Sequence, residues 1–89
     1  MRTELFDFNE IVDRAHFFHQ FSERFVLADL IVTDLESLGE ALMAGVLPLP
    51  LEIAFIHLGK GQKRRYGELI LLFEEAEEVL EGELRFSIQ

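Results

Sequence analysis

The chain has 89 residues, with 17 acidic side chains against eight Lys and Arg, a formal net charge of −9 and no cysteine. Without thiols there are no disulfides, thiolate metal sites or cysteine catalysis, and a small chain with no covalent staple fits a reducing cytosol. The negative field opposes nucleic acid and anionic membranes and speeds encounter with basic proteins, while 49% apolar residues, among them nine Phe, suffice for one packed core and exclude a disordered chain.

The N-terminus, MRTELFDFNE, has no long apolar stretch and no cleavage site, so no signal peptide is expected. Glu4 to Phe8 reads as a first strand, with Phe6 and Phe8 on one face at period two. The spacing then predicts a helix from about Glu10 to Phe25, its buried stripe formed by Ile11, Ala15, Phe18, Phe21 and Phe25 and widened by Phe17. Thr33 or Asp34 can cap a short second helix. Thr33 and Glu36 have the spacing of a capping box. Leu35, Leu38 and Leu42 form its inner stripe, and Gly45 is a stop signal.

Pro48 and Pro50 bar a helix from the next segment. Leu51 to Leu58 is nearly continuously apolar, which predicts a central strand covered on both faces. Leu47 to Leu58 also holds Glu52 and two prolines and is too short to span a bilayer. Gly59 to Gly67 is a polar, basic loop with room for a helical turn, expected to complement the acidic helices. A strong helix follows from about Tyr66 to Leu80, with Leu69, Leu72, Phe73, Ala76 and Leu80 inward and Gly82 ending it. Leu84, Phe86 and Ile88 then alternate with Arg85, Ser87 and Gln89 as a strand on a sheet edge. The order β-α-α-β-α-β implies one α/β domain over residues 1–89: a three-stranded parallel sheet packed with three to four helices.

On the second helix, 100° per residue places Glu36, Gly39, Glu40 and Met43 on one face, away from the leucines. None of these choices helps a helix. Glutamates four apart repel by about 0.2–0.5 kcal/mol, and a mid-helix glycine costs roughly 0.5–1 kcal/mol relative to alanine. An exposed methionine adds soft apolar surface. The face reads either as a docking surface for a basic protein or as a solvated face with one tolerated glycine. Asp29 and Asp34 enlarge the patch under both readings. Glu74, Glu75, Glu77, Glu78 and Glu81 crowd the C-terminal half of the last helix, where negative charge opposes the helix dipole.

Four stretches carry a resemblance: DLESLGEAL (Asp34–Leu42) followed by LPLPLEI (Leu47–Ile53), and the closing FEEAEE and LRFSI. Together they resemble the barstar family, intracellular inhibitors of barnase-type ribonucleases, over nearly the whole chain. The resemblance implies a barstar-like fold, no catalytic activity and a basic ribonuclease as partner. It implies that Glu36 and Glu40 enter the ribonuclease active site where the substrate phosphate would sit, facing arginines and a histidine. Glu40 matches the dominant contact, an aspartate in the family, and Glu75 matches a glutamate that touches the enzyme from the side. The chain departs from the family pattern at Gly39, where the family has tryptophan, and at Met43, where it has threonine. The segment before the helix reads LADLIVT instead of a Tyr- and Gly-containing loop. A barstar-fold regulatory module with a non-nuclease target is the alternative.

Other signals have plainer readings. His16 and His19, with Glu23 a turn on, could hold a metal only with a further ligand, and are read as solvated surface. His57 is read as a structural histidine. Glu52 is read as holding a loop through backbone N–H groups or pairing with Arg64 or Arg65. Glu36 and Glu40 would need a cleft to act as acid and base. No cofactor or metal is expected.

Overall fold

The computed structural model describes residues 2–25 and 31–89. The elements are β1 (Arg2–Asp7), α1 (Arg14–Arg24), α2 (Leu35–Met43), β2 (Leu51–Ile56), α3 (Lys60–Arg65), α4 (Gly67–Val79) and β3 (Leu84–Ile88). The strands form one sheet in the order β1-β2-β3, all parallel. Leu5 pairs with Ala54, and Ala54 with Ser87. Successive right-handed crossovers stepping one way across a sheet carry their helices to the same face.

That face holds the core. Phe6, Leu51, Ile53, Phe55 and Leu84 point into it from the strands, and Phe17, Phe21, Leu38, Leu42, Leu69 and Phe73 meet them from the helices, all essentially buried. Phe55 sits at its centre, with the rings of Phe6, Phe8, Phe17, Phe73 and Phe86 at centroid distances of 4.8–6.2 Å. Mutually tilted rings at this spacing add about 0.5–1.5 kcal/mol per pair beyond area burial.

The other sheet face differs from the expectation for β2. Thr3, Leu5, Glu52, Ala54, Ile56, Arg85 and Ser87 lie there by strand alternation. Leu5 is 47% exposed and Ile56 is half-buried, while Ala54 is fully buried between the neighbouring strands. Among the described residues the helices that cover β2 do so on the Phe55 face. Its apolar run misleads because the small Ala54 and the half-buried Ile56 lie on the face opposite those helices.

α1 begins later than its periodicity suggests. Asp13 caps it by accepting the His16 N–H at 2.8 Å, and the N–H groups of Glu10 and Ile11 turn back to the Asp7 carbonyl. The buried stripe is consequently Phe17, Phe18 and Phe21; Ile11 is buried from the turn, and Ala15 is exposed. At the other helix ends the glycines serve as read: Gly45 and Gly82 take φ of 74° and 84°, conformations that cost glycine little.

A side chain engages one backbone group on each edge of the sheet. On β1 the Arg24 guanidinium donates to the Leu5 carbonyl, and it also lies 3.8 Å from Glu4. On β3 the Phe86 N–H donates to Glu77 Oε2 at 3.0 Å. Occupying edge donors and acceptors discourages pairing with a foreign strand.

The basic segment is a helix, α3, tied down by Gln62, whose amide donates to the Phe8 carbonyl at 2.8 Å and accepts the Gly59 N–H at 3.0 Å. Lys60, Lys63, Arg64 and Arg65 are exposed, and none forms an ion pair among the described residues. The expected pairing of this segment with the acidic helices is not formed. α3 follows β2 directly, so it sits at the carboxyl end of the sheet.

Candidate functional site

α2 is fixed at its start by a reciprocal cap. Asp34 Oδ1 accepts the Ser37 N–H at 2.8 Å, and Ser37 Oγ accepts the Asp34 N–H at 3.1 Å and the Thr33 N–H at 2.9 Å. The Ser37 N–H, and then its hydroxyl, hold the Asp34 carboxyl below the usual aspartate range. The box therefore begins one residue later than the spacing of Thr33 and Glu36 suggests, with Ser37 in the role expected of Glu36. This shift leaves the Glu36 carboxylate out of the cap.

Leu38, Ala41 and Leu42 anchor the helix in the core at 0–1% exposure. Glu36 and Glu40 are exposed, and among the described residues neither has a hydrogen-bond or ion-pair partner. Met43 is 45% exposed one turn beyond Gly39. Gly39 itself is half-buried and turned towards α4: a Cβ built there would lie 3.6 Å from Leu72 Cδ1. Glu75 is exposed on α4, three residues beyond Leu72. Asp34 is exposed, but its carboxylate is occupied by the cap. Asp29 lies outside the described residues, as does most of the apolar segment before α2. Of that segment, Ile31 is 74% exposed and Val32 is buried.

Other acidic side chains fall into two groups. Glu74, Glu78 and Glu81 are exposed beside Glu75 on and after α4, whereas the Glu77 carboxylate is spent on the Phe86 N–H. Glu52 accepts from Thr3 Oγ1 at 3.3 Å rather than pairing with Arg64 or Arg65, because α3 lies beyond the far end of β2. His19 pairs with Glu23, and His16 Nδ1 accepts the Val12 N–H at 3.3 Å. No group of three or more His, Asp or Glu among the described residues is placed to hold a metal ion, and no helix there is long and apolar enough to cross a membrane.

A second arrangement was not visible in the sequence. His57, at φ 60°, donates through Nδ1 to Asp7 Oδ1 at 2.8 Å, joining the ends of β1 and β2. This bond, with the Asn9 N–H, holds the Asp7 carboxyl below its usual range. The two residues are 50 apart in sequence, and only the parallel register, which pairs Asp7 with Ile56, brings them together.

Chemically, α2 presents two carboxylates on an exposed helix face, on a helix capped at its start and anchored in the core. That arrangement suits cations, above all guanidinium groups, which carboxylates bind through paired, charge-assisted hydrogen bonds. No known protein-family model matches the chain.

Proposed function

We propose that this chain is a cytoplasmic inhibitor of the barstar type, which binds a basic barnase-type ribonuclease and fills its active site with Glu36 and Glu40. The observation that carries the reading is the state of those two carboxylates. They are exposed and unengaged among the described residues, on a helix whose opposite side is buried. The helix that carries them is anchored by its cap and its buried leucines, so binding has to order the two side chains but not the backbone beneath them. The inhibitor would act by competition: the carboxylates take the place of an RNA phosphate, and the protein performs no reaction. Glu75 would touch the partner from α4, with Met43 and the flank at Gly39 supplying uncharged contact.

Steering by a net charge of −9 should make association fast and strongly salt-dependent. Titration calorimetry against a barnase-type ribonuclease at low and physiological salt tests this. Tight binding that weakens with salt is expected, together with loss of RNA cleavage. Glu40→Lys should weaken binding by about 2–5 kcal/mol, the cost of breaking a desolvated charge pair. Binding that is intact in Glu40→Lys rules out the α2 assignment.

The alternative, a regulatory module for a basic protein that is not a nuclease, draws on a separate observation. Interfaces of this kind are usually anchored by aromatic side chains. The chain has no Trp, and Met43 is the exposed large apolar side chain on α2. Absence of binding to barnase-type enzymes, with Glu40-dependent capture of another basic protein, would favour it.

A further inference from the structure

We propose that the hollow between the start of α1 and the end of α3 is a binding site for a small phosphorylated ligand. The hollow has a volume of about 400 Å³ and is lined by Val12, Asp13, Arg14, Ala15, Arg65 and Tyr66. It lies beyond the carboxyl ends of β1 and β2, from which α1 and α3 follow in the chain. Open α/β sheets hold their ligands at that end.

Four observations converge there. Arg14 and Arg65 reach the hollow from two different helices, and neither pairs with an acid among the described residues. A guanidinium stays charged at any working pH, and its planar fork matches phosphate oxygens two at a time. The one acid in the lining, Asp13, has its carboxylate turned to the His16 N–H as the cap of α1, so the lining is net positive. The hydroxyl of Tyr66 is buried and has no hydrogen-bond partner among the described residues. Buried hydroxyls almost always find an acceptor; this one is closed off from solvent in the free chain, and a small turn of the ring on binding would bring it to a phosphate oxygen held between the arginines.

The basic side chains of α3 extend the field. Lys60, Lys63 and Arg64 are exposed beside Arg65. With Arg14 and Arg65 they account for five of the eight Lys and Arg in a chain of net charge −9. Salt confines the repulsion from distant acids to about 8 Å at physiological ionic strength, so the local sign decides. Val12, 70% exposed, and Ala15 form an apolar rim against which a carbon skeleton can rest. Two forks and a hydroxyl offer more donors than one carboxylate accepts, which selects a phosphate monoester over a carboxylic acid. None of the lining residues belongs to α2, so the site stands or falls independently of the inhibitor reading.

The test is a titration of the ¹⁵N-labelled full chain with phenyl phosphate at constant ionic strength, followed by amide and arginine Nε–Hε shifts. Saturable shifts confined to the lining are expected. Arg65→Gln and Arg14→Gln should each weaken binding about tenfold, and Tyr66→Phe severalfold with its ring kept; benzoate should bind about tenfold more weakly than phenyl phosphate. Shifts that fail to saturate, spread evenly over Lys60, Lys63 and Arg64, or survive Arg65→Gln unchanged would mean an adventitious ion only and overturn the site. Equal affinity for benzoate would overturn the phosphate assignment. Arg65 is exposed on a short helix, so its substitution tests binding without threatening the core.

Discussion

Replacing Gly39 with alanine should stabilise the protein, and the expected gain can be worked from its surroundings. Gly39 is in the middle of α2, a nine-residue helix, where alanine is favoured over glycine by about 0.8–1.0 kcal/mol. The new methyl would lie 3.6 Å from Leu72 Cδ1, ordinary van der Waals contact that needs no movement of α4. Each such atom pair adds about 0.1–0.2 kcal/mol. The sum is about 1 kcal/mol, which for a domain of this size raises Tm by about 4–8 °C. Urea unfolding followed by circular dichroism should show a higher midpoint with an unchanged slope. A lower midpoint would refute the reasoning. It would mean that α2 and α4 are packed more tightly at this point than the 3.6 Å approach allows, and that the glycine is required by the helix contact.

Phe73→Ala should cost about 3–5 kcal/mol, since the ring is fully buried against Phe17, Phe21, Phe55 and Phe86, and a cavity there has few ways to collapse; denaturant melts would measure it. Asp7 has a folded-state carboxyl below its ordinary value of 3.8, so its contribution is present above that value and is lost as pH falls through the lower one. Asp7→Asn should accordingly flatten the decline of the urea midpoint below about pH 4, and an unchanged decline would remove Asp7 from the account. Glu77→Ala should lower stability by about 1–2 kcal/mol and speed aggregation on heating, because it frees the Phe86 N–H on the edge of β3; light scattering during a thermal ramp reads the second effect. Glu36→Gln with Glu40→Gln should leave stability unchanged or raise it by about 0.2–0.5 kcal/mol, through relief of repulsion on α2, and a substantial loss in thermal melts would show that these carboxylates serve the fold.

The strand and helix order could be read because each element carries its own period. β3 alternates Leu84 and Phe86 with Arg85 and Ser87, and α4 repeats Leu69, Phe73 and Ala76 at helical steps. The parallel sheet then follows from connection lengths. What could not be read depends on the neighbours of a segment. Leu51 to Leu58 gives the same apolar run whether one or both faces are packed, and the packing of α1, α2 and α4 on the side of Phe55 decides it. The start of α1 is set by Asp13, since the Asp7 carbonyl captures the N–H groups that an earlier helical turn would have used.

At the candidate site, exposure was legible and engagement was not. Period alone places Glu36, Glu40 and Met43 outward, and they are outward. Whether a carboxylate is available to a partner depends on which hydrogen bonds it already makes, and several similar acids in this chain differ in that respect. Asp34 is spent on a cap, Glu77 on a strand edge, and Asp7 on a histidine 50 residues away, whereas Glu36 and Glu40 are left unengaged among the described residues. The shift of the capping box by one residue, from Thr33 with Glu36 to Asp34 with Ser37, is what separates the two groups on α2. A serine at position 37 satisfies the helix start through its short side chain, and so the longer glutamate beside it is free to reach outward. The acidic character of the chain is therefore divided. Part of it holds the fold together. The rest is exposed on several elements, and on the proposed reading the two carboxylates of α2 are the ones that meet a partner.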